Sequence, residues 1–406
     1  MRPKIGFVIH RYPNDVRGGA EFLCRQVAQR MATYWDIEVI STCARDYATW
    51  QDYYPAGIEI VGGITVNRFS VDFPREATTF QGKSLEVLAG GASRAEELEW
   101  MRLQGPYSSA LLRYLAESGD HFDAFVFFTY LYCTTFFGLP LVADRAILVP
   151  TAEDAPPLRL SIYDELFALP RWFLFSTVEE ERLLRRRFST VDLKGSVAGV
   201  GLDRPERVNR AFRDRYQIPG EFVLYVGRLE PAKGSDELLQ FFMRYREGYP
   251  EPALKLVLIG DPVFPPPSHE DIIPLGQVAE EDKFGAIAEA TLIVLPSPYE
   301  SLSIVALEAW LMGKAVLANG RCEVVRTHCI RSNGGLWYEN YGEFREALHL
   351  MLIDPGLRAR MGENGLRFVD VNYQWQRIEN CYLEALSQVL TSRHGMSTSN
   401  QGSSEN

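Results

Sequence analysis

The chain has 406 residues, 46% of them hydrophobic and 23% charged, and its 42 Lys and Arg against 53 Asp and Glu give a formal charge of −11. One hydrophobic core rarely fills such a length, so two domains of roughly 150–200 residues are expected. The charge repels nucleic acid and anionic lipid at long range, which excludes nucleic acid as a partner and leaves any phosphate ligand to be held by local groups.

MRPKIGFVIH begins a strand almost at the first residue without a basic n-region or cleavage site, so no export signal is expected. Six cysteines, Cys24, Cys43, Cys133, Cys322, Cys329 and Cys381, show neither CxxC nor zinc spacing and read as reduced thiols of a cytoplasmic protein. IGFVIH (5–10), IEVIST (37–42), AFVFF (124–128), AILVP (146–150) and WFLFST (172–177) are short apolar runs bounded by turn residues. They predict buried parallel strands of a first Rossmann-like lobe, with WFLFST as its last strand. Between the first two, AEFLCRQVAQRMATY (20–34) follows Gly18-Gly19 and places Phe22, Leu23, Val27, Met31 and Tyr34 at helical spacing. The uncharged stretch 124–143 is long enough to span a bilayer, but its threonines, tyrosines, Gly138 and Pro140 mark it as soluble core. RLLRRRF (182–188) follows EEE and reads as a solvated helix face, with a peripheral membrane contact as the alternative.

KGSVAG (194–199), FVLYVG (222–227), LKLVLIG (254–260), ATLIVLP (290–296) and AVLAN (315–319) form a second strand series, interleaved with the helical segments 236–247 and 280–290. The expected architecture is α/β, with Rossmann-like doubly wound lobes at 1–195 and 196–370 facing across a cleft. A C-terminal helix at 371–392 crosses back to the first lobe, and 393–406 is too polar to bury and is expected to be a disordered tail.

In open α/β sheets ligands bind beyond the carboxyl ends of the strands. There FVLYVGRLEPAKG offers Gly227 for close backbone approach and two cations, Arg228 and Lys233, suited to a diphosphate. SPYES opens into SIVALEAWLM, predicting a helix from about 303 with Ser301 or Ser303 as cap, an inner face of Ile304, Val305, Leu307, Leu311 and Met312, and an anion site at its N-terminus. Glu300 precedes that helix and is placed to accept sugar hydroxyls. Glu308 lies inside the helix in an apolar run, where an acid needs a partner, and a ribose cis-diol is one.

Taken in order, YVGRLEPAKG, PLGQVAEEDK (274–283), the E-x7-E of Glu300 and Glu308, and GVGLD (199–203) resemble the retaining glycosyltransferases of family 4, which have the GT-B fold. TYLYCTTFFGLP and PTAEDAPP further resemble members that assemble surface polysaccharides. The resemblance implies a nucleoside-diphosphate sugar as donor and a saccharide or lipid-linked acceptor, in the cytoplasm or at the inner face of the membrane. It assigns the diphosphate to Arg228 and Lys233, assisted by the amides of Ser301, Leu302 and Ser303, and close phosphate approach to Gly227, Gly18 and Gly19. The base falls to Gly276, Gln277 and Val278, the sugar to Glu300 and the ribose to Glu308. Many members have Phe-Gly where this chain has Leu302-Ser303, and a histidine where it has Glu153, so Glu153 and Asp154 are only candidates for the acceptor or sugar side. No Asp-x-Asp occurs, so neither metal nor other cofactor is expected. A sugar-nucleotide epimerase, or a non-catalytic nucleotide-sugar-binding protein, would share the donor site.

Overall fold

The computed structural model describes residues 2–12, 18–250 and 253–399. The chain forms two compact units, Met1–Val200 with Gln376–Asn406, and Gly201–Trp375.

Unit 1 is built on eight strands, β1 (Lys4–Val8), β2 (Asp36–Thr42), β3 (Gly57–Val61), β4 (Ile64–Phe69), β5 (Ala124–Phe128), β6 (Ala146–Val149), β7 (Trp172–Phe175) and β8 (Gly195–Val197), in the order β3-β4-β2-β1-β5-β6-β7-β8. Every neighbouring pair is parallel except β3 with β4, an antiparallel edge hairpin turned at Gly62-Gly63. Ile5, Phe7, Val126, Phe127 and Leu148 are fully buried, as expected for a parallel sheet covered on both faces. The uncharged stretch forms β5, a helix at Cys133–Gly138 and a 3-10 segment at Leu139–Arg145. Among the described residues no helix is long and apolar enough to cross a membrane.

Three expectations need correction here. KGSVAG closes the first sheet: β8 pairs with β7, with Gly195 opposite Phe173, and a Cβ at Gly195 would come within 2.4 Å of the Phe173 carbonyl oxygen. The first unit therefore ends at Val200 rather than 195. The first helix stops at Met31, and Tyr34 lies beyond it, 42% exposed. The basic cluster does lie on a solvated helix face, with Arg182, Arg185 and Arg186 exposed; Arg185 pairs with Glu181, and Arg187 pairs with Asp164 and donates to the carbonyls of Leu158 and Leu160.

Unit 2 carries β9 (Glu221–Val226), β10 (Leu254–Ile259), β11 (Ile272–Gly276), β12 (Leu292–Leu295), β13 (Val316–Asn319) and β14 (Gly335–Tyr338), all parallel, in the order β11-β10-β9-β12-β13-β14. The chain crosses between units twice, and on the unit 2 side the crossings are tied by the Leu202 N–H donating to the Tyr373 carbonyl (2.9 Å).

The helix Trp375–Ser399 then carries the chain back into unit 1. Its Ile378, Tyr382, Ala385, Leu386 and Val389 are buried, and Glu379 meets Arg30 at 3.5 Å. The helix runs past the expected start of the tail at 393, because no proline follows to stop it. Residues 400–406, the rest of that segment, lie outside the described residues.

Candidate functional site

In unit 2 the strand order reverses between β9 and β12, since β10 and β11 lie to one side of β9 and β12 to β14 to the other. The carboxyl ends of two such strands frame the crevice where open α/β sheets bind ligands. Gly227, Arg228 and Lys233 follow β9, and Glu300 follows β12. Gly234 has φ +67, and a Cβ there would come within 2.3 Å of the Pro296 carbonyl oxygen. Only glycine therefore lets the cationic loop close onto the end of β12. The result is an ion pair, Lys233 Nζ to Glu300 Oε1 at 2.9 Å, with the two side chains about a quarter exposed (27% and 23%). Arg228 pairs instead with Glu230 at 2.9 Å, and its carbonyl accepts from the Tyr225 hydroxyl at 2.6 Å. Each predicted diphosphate cation thus already holds a carboxylate, which a phosphate ligand would displace or join.

The helix behind Glu300 is Ile304–Leu311, and its N-cap, Ser303, sits in left-handed conformation (φ 63°, ψ 76°) without a side-chain capping bond. The expected cap at Ser303 is not formed: a capping residue ordinarily has extended backbone, and Ser303 does not. The Ala306 amide donates to the Ser303 carbonyl at 3.1 Å, and no Ser303 side chain competes for the first-turn amides, the groups by which helix N-termini bind anions. The expected single inner face is also too narrow: Ala306 through Leu311 are all buried while Ile304 and Val305 are half-buried, so this short helix is enclosed almost all round. Leu302 and Ser303 are buried as well, Ser301 half-buried.

Glu308 does have a partner, and it is protein: Lys283 Nζ donates to Glu308 Oε1 at 2.6 Å, with side-chain exposures of only 13% and 7%. Lys283 comes from the helix Glu280–Glu289. At the end of β11, Gly276 has φ +64 with open space where a Cβ would be, Gln277 donates to Asp261, and Val278 is buried. Beneath the same region His328 is fully buried between Arg331 (3.4 Å to Nδ1) and the Tyr373 hydroxyl (3.3 Å to Nε2). Burial, helped by Arg331, pushes its imidazole down to about 3.

In unit 1, Gly18 and Gly19 open the helix Gly19–Met31, while residues 13–17 lie outside the described residues. Gly18 has a local reason to be glycine, since a Cβ would come within 2.0 Å of a Glu21 carboxylate oxygen. Glu153 is half-buried, and Asp154 is exposed and 3.7 Å from Arg159. Glu180, on the helix that follows β7, is buried. Its carboxylate accepts from the amides of Ala152 and Ser176, and burial pushes it up to about 7 against those bonds.

Sequence reasoning overlooked a further cluster at the end of β1, where His10 Nε2 lies 3.1 Å from Glu21 Oε1 and Arg11 donates to the same oxygen. Burial would raise the Glu21 carboxyl, but the hydrogen bond from His10 and the charge of Arg11 outweigh it and hold the acid ionised. Burial keeps His10 neutral despite Glu21. A histidine ending an apolar strand, IGFVIH, was the available signal. Among the described residues no group of three or more His, Cys, Asp and Glu is placed to hold a metal ion.

Among the comparisons with known proteins, the family match falls on the same half of the molecule. Residues 220–354 match the family described as "Glycosyl transferases group 1". The chain is 28% identical over 273 residues to the D-inositol 3-phosphate glycosyltransferase of Streptomyces avermitilis, covering 57% of each chain. It spans about half the length of the curated relatives it matches, 43% to 59% of each. Among solved structures it is similar to the sucrose-phosphate synthase of Thermosynechococcus elongatus, with TM-score 0.73 and 17% identity over 96% of this chain and 100% of that one. It is also similar to Anabaena HepE in complex with UDP and glucose, with TM-score 0.68 and 16% identity over 95% and 99%. The chain thus has the fold of the GT-B glycosyltransferases, two Rossmann-like α/β units each built on a largely parallel sheet.

Proposed function

We propose that this chain is a retaining glycosyltransferase that moves a sugar from a nucleoside-diphosphate sugar to an acceptor hydroxyl. One observation carries the reading: at the strand-order reversal of unit 2, the Lys233–Glu300 pair stands before a helix N-terminus that has no side-chain cap. In that arrangement the diphosphate takes Lys233 and Arg228 as counterions and the amides of the 301–303 turn as donors. The developing charge of the leaving group then meets preorganised positive groups. Glu300, released from Lys233, accepts hydroxyls of the transferred sugar. Glu308, already oriented by Lys283, accepts a ribose diol, and the backbone at 276–278 contacts the base.

The match of residues 220–354 to group 1 glycosyl transferases, and the UDP and glucose held by HepE, support this choice of donor class. Transfer proceeds without a metal, the role of a metal–carboxylate bridge being filled by the two cations. The acceptor is a saccharide or lipid-linked saccharide of surface-polysaccharide or glycoconjugate assembly, met in the cytoplasm or at the inner membrane face. The inositol-phosphate relatives add inositol phosphates to the acceptors worth trying.

The decisive experiment is a thermal-shift screen of UDP-, GDP-, ADP- and dTDP-sugars, with and without EDTA. A donor at 100 times its dissociation constant adds about 2.7 kcal/mol of stability. Silence across the panel would overturn the reading, and dependence on a divalent cation would overturn its metal-free form.

A further inference from the structure

Unit 1 has a strand-order reversal of its own, between β1 and β5, and neither of the residues it brings together there has a role in the donor chemistry above. His10 follows β1 and Tyr132 follows β5, and their rings meet at 4.1 Å between centroids. On another side the imidazole meets the edge of Trp50 at 5.6 Å. An ionised Glu21 can only accept, so the proton of His10 sits on Nε2, 3.1 Å from Glu21 Oε1. Nδ1 is therefore a lone-pair acceptor, and it is buried without a hydrogen-bond partner.

Buried polar atoms are nearly always paired, so an orphan at a strand-order reversal needs an explanation. The backbone nearby is strained as well. Thr129 at the end of β5, Thr151 at the end of β6 and Trp50 all have positive φ (63°, 46° and 57°). β-branched and bulky residues adopt that region only when their surroundings impose it, and such positions cluster at ligand sites.

We propose that this edge of unit 1 is a carbohydrate subsite in which a neutral sugar hydroxyl donates to His10 Nδ1 while the sugar ring packs on Tyr132. Tyr132 is half-exposed and turns off the imidazole to admit the ligand, with Trp50 backing His10. The ligand is neutral because the cations beside His10 are already taken up by protein acceptors: Arg11 engages Glu21, and Arg75 donates to the carbonyls of Tyr47 and Gln104. The inference rests on the glycosyl-transfer reading and deepens it: the hydroxyl is that of the acceptor, and Glu21 is a positioning residue that sets the tautomer.

The test uses the full chain labelled with 15N-histidine, with the His10 ring nitrogens assigned by their loss in His10→Phe. Glucose, galactose, mannose and myo-inositol are the neutral probes, and inorganic phosphate is the anionic control. Expected are a proton on Nε2, a shift of the Nδ1 signal with at least one neutral probe and none with phosphate. His10→Phe should bind that probe about tenfold more weakly, the scale of one hydrogen bond, with affinity for nucleoside diphosphates unchanged. An Nδ1 signal that ignores every saccharide, that responds to phosphate alone, or that carries the proton itself would overturn the proposal. Should the variant melt early, the wild-type spectrum decides alone. Nucleotide calorimetry on the same sample separates the two readings: loss of nucleotide binding with a responsive Nδ1 sinks the donor assignment, and the reverse sinks only the subsite.

Discussion

Replacing Glu308 by Gln tests both the packing of unit 2 and the role assigned to this residue. The Lys283–Glu308 pair is almost enclosed, at 2.6 Å and with side chains 13% and 7% exposed. Removing one charge strands the other, and breaking such a pair costs about 3–5 kcal/mol. For a unit of this size that is on the order of 10 °C in melting temperature. Lys283→Met alone should cost a similar amount. The double variant Lys283→Met with Glu308→Leu replaces two charges by apolar groups of similar volume, which is often neutral or stabilising, so most of the loss should return. Nucleotide affinity should behave differently. Glu308→Gln weakens it by about 1.5–3 kcal/mol, the scale of a charged hydrogen bond, and the double variant does not recover it. Melting curves and calorimetry on the four-member cycle read both quantities. A double variant as unstable as the single ones would refute the enclosed-pair argument, and restored nucleotide affinity would refute the ribose assignment.

Lys233→Ala should lower turnover by roughly 10²–10³ with little change in melting temperature, since its partner Glu300 is partly exposed; full turnover by steady-state assay would remove Lys233 from the site. Glu300→Gln should lower the transfer rate while calorimetric affinity for the free nucleoside diphosphate stays nearly unchanged. Glu180, pushed up to about 7, keeps a proton that the unfolded chain releases above its ordinary 4.5, so stability should fall as pH rises through 4.5 to 7. Glu180→Gln should flatten that slope in thermal melts and raise the melting temperature at pH 8. His328 has the opposite sense: neutral in the fold down to about 3, it costs stability as pH falls below its ordinary 6.5 toward 3, and His328→Asn should lessen that acid sensitivity.

The parallel strands were legible because burial on both faces writes continuous apolar runs such as AFVFF and LKLVLI. The edge hairpin β3–β4 was not, since GIEIV and ITVNRF mix polar and apolar residues, and Ile58 and Ile60 are exposed (70% and 67%). The placement of KGSVAG failed for another reason: three half-buried residues carry no mark of which sheet they join, and only the close approach at Gly195 decides it. At the site, residue types and their loops could be read from spacing, but partners could not. Lys283 lies 25 residues from Glu308 and Lys233 lies 67 from Glu300, separations that no local pattern encodes. His10 and Glu21 escaped for the same reason, a strand-end histidine and a first-turn acid each being ordinary alone.

The return of the helix Trp375–Ser399 has a temporal consequence. Unit 1 consists of Met1–Val200 and the last stretch of the chain, whereas Gly201–Trp375 is continuous. On the ribosome the first two hundred residues emerge without the helix that supplies Ile378, Tyr382, Leu386 and Val389 to their core, and domains otherwise fold as units in order of synthesis. The unit synthesised first is thus the one completed last. Its apolar surface stays uncovered until the helix Trp375–Ser399 has been made, so a premature stop after 375 strikes the unit whose other residues precede Gly201.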